Sequence, residues 1–252
     1  ITSVSVPAVW QVPAGEPGPR RERSLMLVTT KEMLLDAQKN HYAVGAFNVE
    51  NLEFVMAVLA AAEETKSPVI MQTTPGTIKT AGLDYFYGMV KAAAERASVP
   101  VALHLDHGDG YDRCMQAFRT GYTSVMIDGS HESFEDNIAL TKSVADAGRA
   151  MGVPVEAELG AIKGKEDDHV SEADCKTDPD QVAEFVERTG CDLLAVSIGN
   201  VHGLEDTPKI DLDHLAKIAA VSPCPLVLHG GSGIPYETIA AMKQFNMVKI
   251  NI

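Results

Sequence analysis

Val101-Ala102-Leu103-His104-Leu105-Asp106-His107-Gly108 reads as a buried strand that stops in chemistry. Pro100 precedes it, an apolar run follows, and the run ends in a carboxylate beside an imidazole. Such a pair makes a poor core and a good rim for a site. Two later apolar runs stop the same way, in Ile198-Gly199-Asn200-Val201-His202-Gly203 and in Val227-Leu228-His229-Gly230-Gly231-Ser232-Gly233. Each of these three strand ends supplies a histidine followed at once by glycine.

Outward from this stretch the chain alternates short strands and amphipathic helices from Ala43 onward. The apolar runs predict strands at 44–49, 69–73, 101–107, 124–128, 155–159, 193–198, 226–229 and 248–252. Most are rich in Val, Ile and Leu, as strands covered on both faces should be. Helices are expected at 52–64, 83–97, 113–119, 134–150, 179–188, 212–220 and 236–245, with one more at 31–39 before the first strand. Asp178-Pro179, Asp211 and Pro235 mark starts, and Gly121, Gly152 and Gly190 mark stops. Eight strands with seven intervening helices is the pattern of an α/β TIM-type (β/α)8 barrel, apparently truncated after the eighth strand. A doubly wound open sheet is the runner-up, but Gly45-Ala46-Phe47-Asn48 lacks its glycine fingerprint.

Composition narrows the class. The formal net charge of −14 argues against a nucleic-acid or anionic-membrane surface. No apolar run approaches the length of a membrane-spanning helix. Cys114, Cys175, Cys191 and Cys224 are scattered without a C-x-x-C, which fits reduced thiols in a cytoplasmic enzyme. Residues 1–25 are proline-rich, have no period and lack a signal-peptide apolar segment, so they are expected to form a disordered leader or a partner-binding tail. The barrel domain is then 26–252.

A barrel carries its chemistry at the C-terminal ends of its strands. There the sequence places Asn48, Thr73-Thr74, Asp106-His107, Asp128, Glu158, Asn200 to His202, His229 and Asn251. Three histidines and an open position are a catalytic zinc arrangement, although imidazole accepts other divalent ions. His107, His202 and His229 are therefore read as ligands of one metal, with Asp106 working beside it. His104 lies deeper on the same strand and reads as a supporting residue. Asp128 and Glu158 are read either as partners orienting the histidines or as ligands of an alternative metal position. Asn48 and Thr74 are candidate substrate contacts. Gly230, Gly231 and Ser232 form a glycine-rich turn before a helix, an anion cradle suited to phosphate. The stretch from Gly160 to Thr177 is long for a connector; it reads as a lid hinged at Gly160 and Gly164, with Glu166-Asp167-Asp168 at its tip.

The segments LHLDHG, SVMIDGSH, VEAELG, KGKEDD, IGNVHG, LVLHGGSGIP and VKINI together closely resemble the class II, metal-dependent ketose-bisphosphate aldolases, over about 26–252. The resemblance implies a lyase of carbohydrate metabolism (glycolysis among its settings) that cleaves a fructose or tagatose 1,6-bisphosphate. It implies that His107, His202 and His229 hold Zn2+ and that Asp106 moves the proton on the aldehyde-side oxygen. Glu166 corresponds to the loop carboxylate that handles the proton at C1 of dihydroxyacetone phosphate. Glu158 and Asp128 correspond to residues around the metal. Gly203, Gly230, Ser232 and Asn251 correspond to dihydroxyacetone phosphate contacts, with a monovalent cation (Na+ or K+) close by. A homodimer or homotetramer is implied too. Family members continue past the last strand with an eighth helix, so a chain ending at Ile252 is expected to be an impaired fragment if it stands alone. Two other readings compete. A hydrolase on the same barrel would want a His-x-His on the first strand, where Ala46-Phe47-Asn48 stands. A non-catalytic subunit would be expected to have lost the histidines or Asp106, and all four are present.

Overall fold

The structure, a computed structural model, describes residues 26–166, 169–171, 175–203 and 208–252. The leader at 1–25 and the loop-tip residues Asp167 and Asp168 lie outside the described residues. The elements run α1 (Thr30–Asn40), β1 (Val44–Asn48), α2 (Leu52–Thr65), β2 (Val69–Thr73), α3 (Pro75–Ala81), α4 (Leu83–Ala94), β3 (Val101–Gly108), α5 (Tyr111–Thr120) and β4 (Ser124–Ile127). They continue with α6 (Phe134–Met151), β5 (Val155–Leu159), β6 (Gly164–Glu166), β7 (His169–Ser171), α7 (Pro179–Thr189) and β8 (Leu193–Val196). Last come α8 (Leu212–Val221), β9 (Leu226–Leu228), α9 (Tyr236–Met242) and β10 (Met247–Asn251).

All strands except β6 and β7 form one closed parallel barrel, in the order β1-β10-β9-β8-β5-β4-β3-β2. The ring closes between the last strand and the first, with Val44 opposite Lys249 and Ala46 opposite Asn251. This is the (β/α)8 barrel that the strand count predicts. Helix starts follow the expected caps: the Asp178 side chain accepts from Asp180 N–H, and that of Asp211 from His214 N–H. Two elements differ from expectation. Thr74-Pro75 opens the short helix α3, its proline at a first-turn position where the missing N–H costs nothing. The long segment after β5 contains the β6–β7 hairpin.

Alternation sorts the strand residues. Met71, Leu103, Leu105, Val125, Ile127 and Val155 face outward and pack with Phe86, Val90, Phe118 and Val144 of the surrounding helices. Leu194, Val196, Leu226 and Leu228 do the same against Phe185, Leu215 and Ile218. The lower interior is filled by Val44, Ala46, Ile70, Ala102, Leu193, Ala195 and Val227, joined by Met33, Leu34 and Ala37 of α1. Helix α1 therefore closes the N-terminal end of the barrel. Above that floor the interior changes character: Gln72, His104, Asp106, Glu156, Glu158, His229, Lys249 and Asn251 are all buried.

Candidate metal centre and active site

Neighbouring residues of a regular strand point to opposite faces. Asp106 and His107 could not then both serve one site. The structure resolves this with a bulge: Leu105 pairs Val125 while Gly108 pairs Ile127, so β3 carries one residue more than β4 across that interval. His107 takes a positive φ of 44°, rare for a residue with a side chain. Bulges re-aim side chains beside active sites, and this one lets Asp106 stay buried inside while His107 also meets the mouth.

His107, His202 and His229 converge. Each offers a ring nitrogen, and the three nitrogens lie within 4.8 Å of one another. The ring centroids of His107 and His202 are 5.1 Å apart, those of His107 and His229 4.7 Å, and those of His202 and His229 5.8 Å. His107 Nδ1 faces Asp128 Oδ2 at 2.8 Å, and His229 Nε2 faces Glu156 Oε1 at 2.9 Å. A carboxylate can only accept, so these far nitrogens carry the protons. Lone pairs remain on His107 Nε2 and His229 Nδ1, which lie 3.0 Å apart. That donor set fits a divalent ion: zinc–imidazole bonds of about 2.0–2.1 Å in tetrahedral geometry place ligand nitrogens about 3.4 Å apart.

Asp106 sits against this cluster. Its carboxylate accepts from Gln72 Nε2 at 2.8 Å and from Asn251 Nδ2 at 3.1 Å. Gln72 Nε2 also donates to Asn48 Oδ1 at 2.7 Å, which ties β1, β2, β3 and β10 together at the mouth. Burial works to raise the Asp106 carboxyl. His107, then the His104 hydrogen bond, His229 and Lys249, outweigh burial and hold it well below the usual carboxylate range. It is thus a base at neutral pH.

Asp128 stands behind His107 and also accepts from Ser130 N–H at 3.0 Å. Burial opposes its ionisation, but His107 and Ser130 outweigh that and hold its carboxyl low. Glu158 moves the other way: burial, then the Asp128 charge, push its carboxyl well above the ordinary range. Both carboxylates lie within ligand distance of His107, in a second set of possible metal ligands. Asp128 orients His107, and Glu158 stands beside them near Ser130.

The backbone of His202 is gripped from two sides. Gly164 takes φ 123°, and a Cβ there would lie 2.1 Å from the His202 carbonyl oxygen. Gly230 takes φ 62°, and its Cβ would lie 2.0 Å from the Val201 carbonyl oxygen. Only glycine permits both approaches. His202 N–H donates to Lys163 O at 2.9 Å. Gly164, the expected hinge, is also where the long loop bridges to the backbone of His202. Glu166 ends β6 on this loop.

The remaining candidates fall around the mouth. Thr74 caps α3 and accepts from Thr77 N–H at 3.3 Å. Gly203 is exposed at the rim just after His202. In the glycine turn, Gly231 N–H donates to Asn251 O at 2.8 Å and so fastens the turn to β10. Ser232 is half-buried beside it. Asn251 is placed by its side chain against Asp106 rather than by a free amide.

Sequence reasoning missed Gln72, Glu156 and Lys249. For Glu156 a signal existed. In Val155-Glu156-Ala157-Glu158-Leu159 the apolar residues alternate with carboxylates. On a strand covered by helices, the apolar set must face them and the carboxylates must face the barrel interior. For Lys249 the same alternation existed, since Lys249 and Asn251 share one face between Val248, Ile250 and Ile252; the bulge of β10 lies just upstream, where Met247 pairs Leu226 while Lys249 pairs Val227.

Comparison with known proteins agrees with this geometry. The family model described as "Fructose-bisphosphate aldolase class-II" matches residues 28–252. The fructose-bisphosphate aldolase of Geobacillus stearothermophilus is 46% identical over 90% of this chain and 81% of its own. That of Staphylococcus aureus is 44% identical over 90% and 80%. The crystal structure of the YdjI aldolase from Escherichia coli K12 superposes with a TM-score of 0.80 at 41% identity, covering 90% of this chain and 81% of that one.

Proposed function

The chain belongs to the class II fructose-bisphosphate aldolase family, and we propose that it performs the zinc-dependent, reversible aldol cleavage of a ketose 1,6-bisphosphate, fructose or tagatose, to dihydroxyacetone phosphate and glyceraldehyde 3-phosphate. The observation that carries this reading is the convergence of His107, His202 and His229 on one point, with Asp106, held by Gln72 and Asn251, beside them.

His107, His202 and His229 would hold the ion, which supplies Lewis-acid polarisation of the substrate ketone when bound. Asp128 and Glu156 keep the protons of His107 and His229 on the nitrogens turned away from it. In the cleavage direction Asp106 takes the proton of the C4 hydroxyl as the C3–C4 bond breaks, and C4 leaves as the aldehyde. In the synthetic direction it returns that proton. Gln72 and Asn251 hold its carboxylate in place throughout. Glu166, on the loop anchored at Gly164, handles the carbon-bound proton of dihydroxyacetone phosphate. Gly203, Gly230, Gly231, Ser232, Asn251, Asn48 and Thr74 form the substrate-binding rim, and phosphate binding there supplies orientation energy remote from the reacting bond. Glu158 and Asp128 complete the surroundings of the zinc, with a monovalent cation near the phosphate. The enzyme acts in the cytoplasm as a homodimer or homotetramer. Among the described residues no helix is long and apolar enough to cross a membrane.

A chelation and add-back assay tests the reading. Cleavage of fructose or tagatose bisphosphate should stop after exhaustive chelation and return with stoichiometric zinc. Turnover that survives metal removal would overturn it. The ratio of rates on the two bisphosphates then assigns the C4 configuration.

A further inference from the structure

A buried cation already occupies the barrel beneath the proposed metal. His104, Asp106 and Glu156 bring ligand atoms within 4.8 Å of one another and could hold an ion themselves. Lys249 Nζ fills that place instead. It donates to Glu156 Oε2 at 2.8 Å and lies 3.3 Å from His104 Nε2. All four side chains are fully buried. Lys249 Nζ can only donate, so its contact makes His104 Nε2 the acceptor; the other nitrogen, Nδ1, then carries the proton and faces Ser124 Oγ at 2.8 Å.

Glu156 is therefore bonded on both oxygens: Oε2 to Lys249, Oε1 to the Nε2–H of His229. The second bond decides which nitrogen of His229 faces His107 and His202. A carboxylate buried without a counter-charge is costly and turns neutral or moves to water. Without the ammonium, Glu156 would lose its fixed position, and His229 its orientation. The bulge at Met247–Lys249 shows that β10 departs from regular pairing where it delivers this side chain inward.

We propose that Lys249 is a positioning residue: through Glu156 it fixes the ring of His229 with Nδ1 turned toward His107 and His202, and so sets how long a divalent ion stays bound. The inference rests on the three-histidine reading above. Lysine supplies the cation here on a covalent tether, so a chelator cannot take it away as it can a metal ion.

Zinc release from the full chain into excess chelator, followed with a chromogenic indicator, tests the assignment. Lys249→Met keeps the length of the side chain and removes its charge. It should release zinc about 10- to 100-fold faster, the usual cost of losing an outer partner of a metal ligand. In the pair Lys249→Met/Glu156→Gln position 156 no longer carries an unpaired charge, and the Gln carbonyl can still accept from His229. That pair should release zinc more slowly than Lys249→Met alone, a rescue that a packing role would not produce. Parent-like release from a folded Lys249→Met protein, or a double variant faster than the single one, would overturn the role. Ring-nitrogen NMR of the zinc-loaded parent gives a reading free of any folding defect. The His229 proton is expected on Nε2, and a proton on Nδ1 would overturn the proposal. A parent chain that takes up no zinc overturns the proposed function and this inference together. Zinc uptake with unchanged release from the Lys249 variant overturns this inference alone.

Discussion

The lower and upper halves of the barrel interior are equally dry and oppositely built. Ile70 and Lys249 are both fully buried. The floor is a packed apolar layer of Val44, Ile70, Ala102, Leu193 and Val227 under α1. There burial itself stabilises, at roughly 25 cal/mol per Å² of apolar surface removed from water. A few ångströms higher, Gln72, His104, Asp106, Glu156, His229, Lys249 and Asn251 give up hydration that only mutual pairing offsets. The floor carries the fold. The upper half draws on that stability to hold charges where chemistry needs them, and its members cannot be replaced one at a time.

The largest effect should come from the upper half. Asp106→Asn keeps the shape and one acceptor oxygen, which can still take the Gln72 bond at the Oδ2 position, but it removes the base and turns an NH2 toward the Asn251 donor. Aldol cleavage should fall by about 10²- to 10⁴-fold, the usual share of a positioned acid–base group. Zinc per chain should stay the same. Parent-like turnover in that variant would remove Asp106 from the reaction.

The floor should answer in the opposite way. Ile70→Ala opens a cavity in the apolar layer and should cost about 2–5 kcal/mol of stability, read from urea unfolding. Turnover per bound zinc in the protein that remains folded should not change. A variant that kept its stability and lost turnover would erase the distinction between the halves.

Much of this division was legible in the chain. The strand count, the His-Gly endings and the Asp106-His107 pair needed only apolar runs and their stops. The register was not legible. A bulge adds one residue and reverses which side chains face inward, and nothing in Met247-Val248-Lys249 announces one. Lys249 shares the inward phase of Asn251, but a single lysine in a short strand read as an ordinary strand residue. Likewise Asp106 and His107 could be seen as neighbours, but how both reach one site depended on the backbone turn at His107.

Acid separates the halves without any mutation. Burial opposes ionisation of Glu156, but Lys249 and then the His229 hydrogen bond outweigh it and lower its carboxyl from 4.5 to about 2. The unfolded chain binds that proton at the higher pH. The Glu156 contribution to stability is thus complete above about pH 4.5 and drains away as the pH falls toward 2. Glu156→Gln should flatten the acid-unfolding curve of the metal-free protein in that window, as seen by near-ultraviolet circular dichroism. An unchanged slope would show that another group governs acid unfolding.

The smallest effect probes the seam between the halves. Thr30, in the first turn of α1, donates from Oγ1 to Ser124 Oγ at 3.0 Å, and Ser124 in turn faces His104. This contact connects the floor helix to the polar column below the three histidines. Thr30→Val removes the hydroxyl at nearly constant volume and should cost about 1 kcal/mol, the net worth of one such bond. Zinc release should be unaffected, because His104 keeps Ser124 and Lys249 as partners. If zinc left faster from this variant, the floor helix would be part of the support for the metal, and the boundary between the two halves would have to be drawn at α1 rather than at His104.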